Sequence, residues 1–411
     1  MIQNLEINMD NINLEEKKSR EKSLKLFTND GFPTKKLEEW KFTDFNKIIF
    51  DNFKELKPNI QIEKSNNIQE LKDFNHNSII LVNGNLKSHD LKYEDKASVK
   101  ISKYKDNLVK KFETNNPLIN LNNALSNGGY FLEILDNYKF NKPLIIYNFF
   151  SDNLKNTIIN NKNLIVLKDN SSLELIEVNS DISKNNYIYN NFTNIQIGKN
   201  SSLKNYNLQT CKSNGFFYKF IKIILDNKSN YEDYIFSSGL KFNRIEQEID
   251  INGENAKCNI QAALFLNLDC HQEIKTKINH LKPNCMSYQK IKNVLNKNCK
   301  GAYQGKIFVK DIAQKTDAYQ LSKALLLDDS SEFNAKPELE IYADDVKCSH
   351  GSTSGSINED SIYYLMTRGI SRKNAIDLLI KAFLFEIANS IKNSEIKKFI
   401  EKNLDRQIYG Y

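Results

Sequence analysis

The chain has 411 residues, enough for two or three domains at the usual scale of about 150 residues each. Its net charge of +7 comes from 58 basic and 51 acidic residues spread along the chain, which argues against a nucleic-acid partner. No apolar run reaches the roughly 18 residues of a membrane span, and Met1–Arg20 is polar, unlike a secretory signal.

Apolar residues make up 40% of the chain and include 24 Phe and 19 Tyr, so a large core is expected. Six cysteines, at 211, 258, 270, 285, 299 and 348, lie at irregular spacings. In a long chain without a secretion signal this favours reduced thiols in a cytoplasmic protein over a disulfide framework.

Residues 1–127 read as a mostly helical domain with a small strand insert. Leu14 to Asn29 is helix-like and stops at Gly31-Phe32-Pro33. The string Leu37-Glu38-Glu39-Trp40-Lys41-Phe42-Thr43 holds the only tryptophan, whose ordinary role is a core anchor. Ile79 to Val82 is a strand that enters a turn at Asn83-Gly84. Phe112 to Leu125 is expected to be helical and leads to Gly128-Gly129.

From Tyr130 the apolar period changes to two, which is the strand period. Short strands are expected at 131–135, 144–149, 164–167, 173–178, 195–197, 220–225 and 307–309. Lysine and asparagine runs such as Asn160-Asn161-Lys162-Asn163 read as solvated turns. A repeat runs through the segment: Asp169-Asn170-Ser171-Ser172-Leu173 is echoed by Lys199-Asn200-Ser201-Ser202-Leu203, and more weakly around Asn227 and Asn252. A period of about 25 to 30 residues indicates stacked units, and all-β units of that length suit a solenoid or β-helix, with Asn170, Asn200, Asn227 and Asn252 at equivalent turns. A two-sheet sandwich is the ordinary alternative.

Cys258, Cys270, His271, His280, Cys285 and Cys299 are metal-type residues within this core, but they lack the paired spacing of structural zinc sites. Core and turn positions are the simpler expectation for them. The chain shows no Walker A loop, no G-x-G-x-x-G and no H-E-x-x-H, hence no nucleotide or protease site of its own.

The stretch Pro337 to Gly369 is the most informative. Leu339, Ile341 and Ala343 alternate with polar neighbours as in a strand, and Asp344-Asp345 reads as a turn. A second strand through Val346, Cys348 and His350 would put Cys348 and His350 on one face, with Gly351 and Gly355 ending it. A thiolate and an imidazole so placed can offer two ligands to iron, zinc or copper. A complete site needs more, so other segments or another chain would have to supply them.

The tail, residues 356–411, reads as helical. Asn358 caps a first helix with Glu359 and Asp360 in its first turn, and Gly369 ends it. Ser371 caps a second with Ala375, Leu378, Leu379, Ala382, Phe383 and Ile387 on one face, and Ser394 caps a third. Such a stripe packs on the chain's own core or docks another protein.

Two of these stretches carry a resemblance. Lys347-Cys348-Ser349-His350-Gly351, followed by the tyrosine-rich helix ending in Arg368-Gly369-Ile370, resembles the C-terminal signature of the SufB/SufD family, the scaffold proteins of SUF iron–sulfur cluster assembly. The Trp40 string resembles the family's N-terminal signature. Gly351 after His350, and Leu365 where the B-type pattern carries a cysteine, favour the D-type branch.

The resemblance implies a right-handed parallel β-helix. It implies pairing through that β-helix with a SufB-type subunit, and a transient Fe–S cluster shared with that subunit near His350, with Cys348 assisting. It implies that C-terminal helices hold a SufC-type ABC ATPase, a role carried here to Arg368, Gly369, Ile370, Ala375, Leu379 and Phe383.

The expected fold is therefore mainly β: a helical domain (1–127), a right-handed parallel β-helix core (128–355) and a helical C-terminal domain (356–411). The expected function is that of a SufD-like, non-enzymatic, cytoplasmic scaffold subunit. A β-helix carbohydrate-active enzyme would need clustered carboxylates, and the Asp344-Asp345 pair of the signature reads as a turn. A structural interaction protein without a metal role is the third class.

Overall fold

A computed structural model of the chain describes residues 13–58, 70–105, 114–211 and 214–409. The helix start expected at Phe112 and residues 1–12 of the polar N-terminal stretch lie outside them. Helix α1 (Leu14–Asp30) begins where the Asn13 side chain accepts from the Glu16 amide and ends at Gly31, whose φ of 69° favours glycine. Helix α2 (Phe45–Asn52) is capped by Asp44. Strands β1 (Lys57–Pro58), β2 (Asn77–Val82), β3 (Asn85–Asp90) and β4 (Val99–Lys103), helix α3 (Pro117–Leu125) and strand β5 (Tyr130–Ile134) complete the N-terminal part. The β2–β3 hairpin turns on Asn83 and Gly84, both at positive φ, as expected of a two-residue turn.

The core is a parallel β-helix of two sheets with about eight turns. One sheet contains β7 (Thr157–Leu167), β9 (Tyr187–Ile197), β11 (Gly215–Leu225), β13 (Phe242–Ile251), β15 (His271–His280), β17 (Lys300–Val309) and β19 (Glu332–Ile341) in that order, after β4 and β5. The other contains β6 (Leu144–Phe150), β8 (Ser172–Asp181), β10 (Ser202–Gln209), β12 (Asn230–Ser238), β14 (Lys257–Leu266), β16 (Met286–Leu295), β18 (Asp317–Leu326) and β20 (Lys347–Ser356), after β3 and β2. The N-terminal end is closed by the antiparallel pairs β2–β3 and β4–β5. The other end stops at β19 and β20, and among the described residues nothing pairs with their outer edges.

The asparagine repeat marks one corner. Asn170, Asn200, Asn255 and Asn284 adopt φ of 58°, 55°, 57° and 60°, the left-handed region that asparagine tolerates well. Asn200 Nδ2 donates to Asn170 Oδ1 at 3.1 Å, and Asn170 Nδ2 to Asn137 Oδ1 at 3.0 Å, a ladder across three rungs. Asn227 and Asn252 occupy these corners but not the equivalent position: the register gives it to Lys228 and Asn255, one and three residues further on.

The strands are longer than their apolar stretches because the stack also buries polar residues. Asn160-Asn161-Lys162-Asn163 is buried in β7 rather than solvated. Asn190 Nδ2 donates to Asn160 Oδ1 at 2.8 Å and Asn191 Nδ2 to Asn161 Oδ1 at 3.0 Å, so these side chains bond to their register partners one rung away. Likewise Gly351 and Gly355 do not end the last strand; β20 runs on to Ser356 because its whole length pairs in parallel with β18.

The C-terminal helices are α4 (Glu359–Thr367), α5 (Arg372–Ala388) and α6 (Ser394–Tyr409). Asn358 caps α4, Gly369 follows it at φ 85°, and Ser371 caps α5. The third cap is Asn393 rather than Ser394: its Oδ1 accepts from the Glu395 and Ile396 amides. Helices α5 and α6 cover the outer face of the second sheet, where Ile380, Leu384, Ile387, Phe399, Ile400 and Leu404 join Tyr206, Tyr234, Phe236, Phe265 and Val294. At the other flank Phe27, Trp40, Phe45 and the α3 leucines cover the aromatic outer face of β11 and β13.

Candidate functional site

Side chains alternate along β20, so Cys348, His350 and Ser352 face the inside of the last rung. The register shows this directly. Cys348 lies beside Ala318, His350 beside Gln320 and Ser352 beside Ser322, all buried one rung below. Ser322 Oγ donates to Ser352 Oγ at 2.8 Å. Gln320 Nε2 donates to the Glu338 carbonyl at 3.2 Å, and the Tyr303 hydroxyl lies 3.1 Å from both Gln320 Oε1 and Gln289 Oε1. A side chain at Gly305 would collide with Gln320 and Tyr303, so the polar file under His350 depends on that glycine.

His350 and Cys348 thus share a face but differ in setting. His350 is exposed, because no further rung covers it. Cys348 is half-buried against Ile307, Val309, Ala313 and Ala318. Burial, with help from the Asp317 carboxylate, pushes its thiol above the usual range, so at neutral pH it is a packed thiol rather than a thiolate. Among the described residues no group of three or more His, Cys, Asp or Glu is placed to hold a metal. Of the core cysteines and histidines, Cys258, Cys285 and Cys299 are buried in the main apolar core. His280 is bonded to Ser287 at 2.8 Å, and His271 to Thr43 at 3.0 Å. Cys270 and Cys299 alone come together, in one corner.

The proposed docking residues divide. Arg368 is exposed with its guanidinium 5.3 Å from the Tyr364 ring centroid, Gly369 is exposed, and Ile370 is half-buried. The expected stripe on α5 is not one face. Ala375 and Ile387 are buried, Leu379 and Phe383 are half-buried, and Leu378 and Ala382 are exposed. Phe383 belongs to the chain's own packing, with the Lys292 ammonium 4.3 Å from its ring centroid. The truly buried row is Ile380, Leu384, Ile387 and Ile391. What the sequence reading passed over is the outer face of α4, where Tyr363, Tyr364 and Met366 are 70%, 59% and 41% exposed. On that short helix only Ile362 is buried, so the paired tyrosines have no core to enter, which the packing shows and the sequence alone does not.

The Trp40 string forms a second feature. Trp40 is buried against Arg244, a fully buried arginine of β13 that forms ion pairs with Glu246 and Glu273 at 2.5 and 2.6 Å. Thr43 Oγ1 donates to Glu273 Oε2 at 2.7 Å. These contacts fasten the N-terminal part to the β-helix flank, far along the chain from β20.

Comparison with known proteins places these features together. Residues 149–383 match the family described as SUF system FeS cluster assembly, SufBD core domain, and residues 7–146 match the SufBD protein N-terminal region. An iron-sulfur cluster assembly SufBD family protein of Synechocystis is 26% identical over 384 residues, 87% of this chain and 84% of that protein. The iron-sulfur cluster assembly protein SufD of Bacillus subtilis is 24% identical over 403 residues, 91% of this chain and 89% of that one. The SufD of Escherichia coli is 33% identical over 160 residues, which span 39% of this chain and 38% of that protein.

Proposed function

The chain belongs to the SufB/SufD family of SUF iron–sulfur cluster assembly proteins, and from that premise we propose that it is a scaffold subunit without catalysis of its own, pairing edge to edge with a SufB-type subunit. The observation that carries this reading is the open last rung. Strands β19 and β20 each run for ten residues with an edge that nothing among the described residues pairs, and a parallel-sheet edge of that length is a template for another strand. Ile341 and Tyr342, 37% and 61% exposed at the corner between them, add apolar area for a partner to cover.

A strand that paired along the middle of β20 would lie beside His350, since His350 sits four residues into a strand of ten. The nascent cluster is the cargo of such a pair. Imidazole from His350 would supply one iron ligand, and thiolates from the partner would supply others. One chain offering too few ligands to close a site suits a scaffold that must release its cargo. A SufC-type ATPase would dock on the C-terminal helices, on the exposed Tyr363, Tyr364, Met366 and Arg368 face of α4 together with Gly369, Ile370 and the outer side of α5.

Hydrogen exchange tests the pairing. Amides of β19 and β20 should exchange fast on the outer edge in the isolated chain and become protected on addition of the SufB-type subunit. Protection confined to other strands would overturn the edge-to-edge arrangement.

A further inference from the structure

The corner that precedes β15 and β17 brings two thiols together. Asp269 and Asn298 take φ of 50° and 56° there, and Asn298 Nδ2 donates to Asp269 Oδ1 at 3.1 Å, so the two corners stack in register. The residues that follow are Cys270 and Cys299. The Lys300 amide donates to the Cys270 carbonyl at 2.8 Å, and His271 pairs with Lys300, which makes Cys270 and Cys299 direct neighbours on adjacent rungs. Parallel neighbours lie about 4.8 Å apart, inside the range of Cα separations that a disulfide spans. No other cysteine has this relationship: the register sets Cys258 beside Tyr231 and Ser287, and Cys348 beside Ala318.

The two sulfurs are not equivalent. Cys270 is half-buried and Cys299 is buried. The Cys270 thiol donates to the Leu268 carbonyl at 3.0 Å and the Cys299 thiol to the Lys297 carbonyl at 3.5 Å. The adjacent Cys270 thiol and the nearby backbone amides of Cys270 and Asn296 hold Cys299 below the usual thiol range, although burial opposes them. Cys270 is pushed well up, first by its neighbour Cys299 and then by burial. Of the two neighbours, Cys299 is the one that ionises more readily.

We propose that Cys270 and Cys299 form a reversible disulfide between adjacent rungs when the chain meets hydrogen peroxide. The Cys299 thiolate attacks one peroxide oxygen, the O–O bond breaks, and hydroxide leaves to take up the proton released by Cys270. The Cys270 sulfur then displaces hydroxide from the Cys299 sulfenic acid, forming the S–S bond, and that hydroxide takes up the proton Cys299 gave up on ionising. The sum is two thiols and one hydrogen peroxide giving one disulfide and two waters. A dithiol reductant returns both thiols by exchange. The proposal stands apart from cluster assembly and needs no partner chain.

The test uses the full chain, reduced, treated with hydrogen peroxide, blocked with iodoacetamide under denaturing conditions, digested and mapped by mass spectrometry. A peptide linking Cys270 to Cys299 should be the main oxidised product and should vanish with dithiothreitol, while Cys348 is recovered alkylated. The variant Cys270→Ser should give no linked peptide and leave Cys299 as a sulfenic acid trapped by dimedone. Recovery of Cys270 and Cys299 as two separately alkylated peptides under conditions that oxidise Cys348, or a disulfide from either to a third cysteine, would overturn it. Should Cys270→Ser not fold, the map of the unsubstituted chain decides by itself.

Discussion

The Arg244 guanidinium lies 3.9 Å from the centroid of the Trp40 ring, and its Nη2 donates to the Glu39 carbonyl at 2.5 Å. A cation on an indole face, desolvated on every side, is worth about 2 kcal/mol or more. Here it also neutralises Glu246 and Glu273, and among the described residues the only other cation paired with either is the more distant Lys275, on Glu246. The N-terminal signature is therefore a latch, and its keeper is on β13, some 200 residues away.

Arg244→Ala should cost about 3 to 5 kcal/mol, because it leaves two buried carboxylates uncompensated. Arg244→Lys should recover only part, since an ammonium cannot hold both carboxylates and stack on Trp40. Urea unfolding followed by Trp40 fluorescence measures both. A loss near zero for Arg244→Ala would refute the latch.

A pH dependence follows from Asp233 on β12. Its side chain is buried and bonded to Gln247 and Asn205. Burial pushes its carboxyl up to about 6. A carboxyl raised in the folded state holds its proton while the unfolded chain loses it, so stability falls as pH rises from about 4 to 6 and stays lower above. The full penalty is about 3 kcal/mol. Asp233→Asn should therefore gain over the unsubstituted chain across that window and hold the gain at pH 7. Comparing the two at each pH cancels the opposite effect of His271 and His280, both pushed down to about 4 by burial. An Asp233→Asn difference independent of pH would count against this.

How much of this was legible depends on whether the signal was local. The corners at Asn170 and Asn200 were, since left-handed backbone is a property of one residue, and the repeat implied the stack, but Asn227 and Asn252 miss the equivalent position, which Lys228 and Asn255 take. Strands β10, β12 to β16 and β18 were not foreseen as strands; the inward rows of β13, β15, β16 and β18 mix Gln247, Thr276, Gln289 and Gln320 with apolar residues, and these are met across the interior by Asp233, Gln289, Thr276 and Tyr303 of the facing sheet. Cys348 and His350 were placed together by strand alternation alone. Their different burial was not legible, because it comes from where the stack stops. Arg244 gave no sign at all: a buried arginine is recognised only by partners distant in sequence.

The tail makes two separable predictions. Leu384→Ala removes a fully buried side chain from the contact between α5 and the second sheet and should cost about 2 to 5 kcal/mol. For the same reason, truncation after Gly369 should yield insoluble protein, as it uncovers Phe236, Phe265 and Val294. The double variant Tyr363→Ser, Tyr364→Ser touches exposed positions and should leave the melting temperature within error. In a pull-down with a SufC-type ATPase it should weaken binding at least tenfold. Unchanged binding would move the docking surface off α4.

His350 carries the last prediction. Its register partner Gln320 is buried and bonded, whereas His350 itself is exposed, so the same row passes from structure to surface in one step. Replacing an exposed residue away from caps and ion pairs is usually within about 0.5 kcal/mol of neutral. His350→Ala should accordingly fold and pair as the unsubstituted chain does, by melting temperature and by co-purification with the SufB-type subunit. If its imidazole is a ligand to the nascent cluster, the same variant should lose iron–sulfur absorption on anaerobic reconstitution of the complex. Cys348→Ala should do less to the cluster and more to stability, because its sulfur is already spent on packing against Ile307 and Ala318 and holds its proton. A His350→Ala complex that assembles clusters at the unsubstituted rate would remove His350 from the chemistry and leave the open rung as a pairing surface alone.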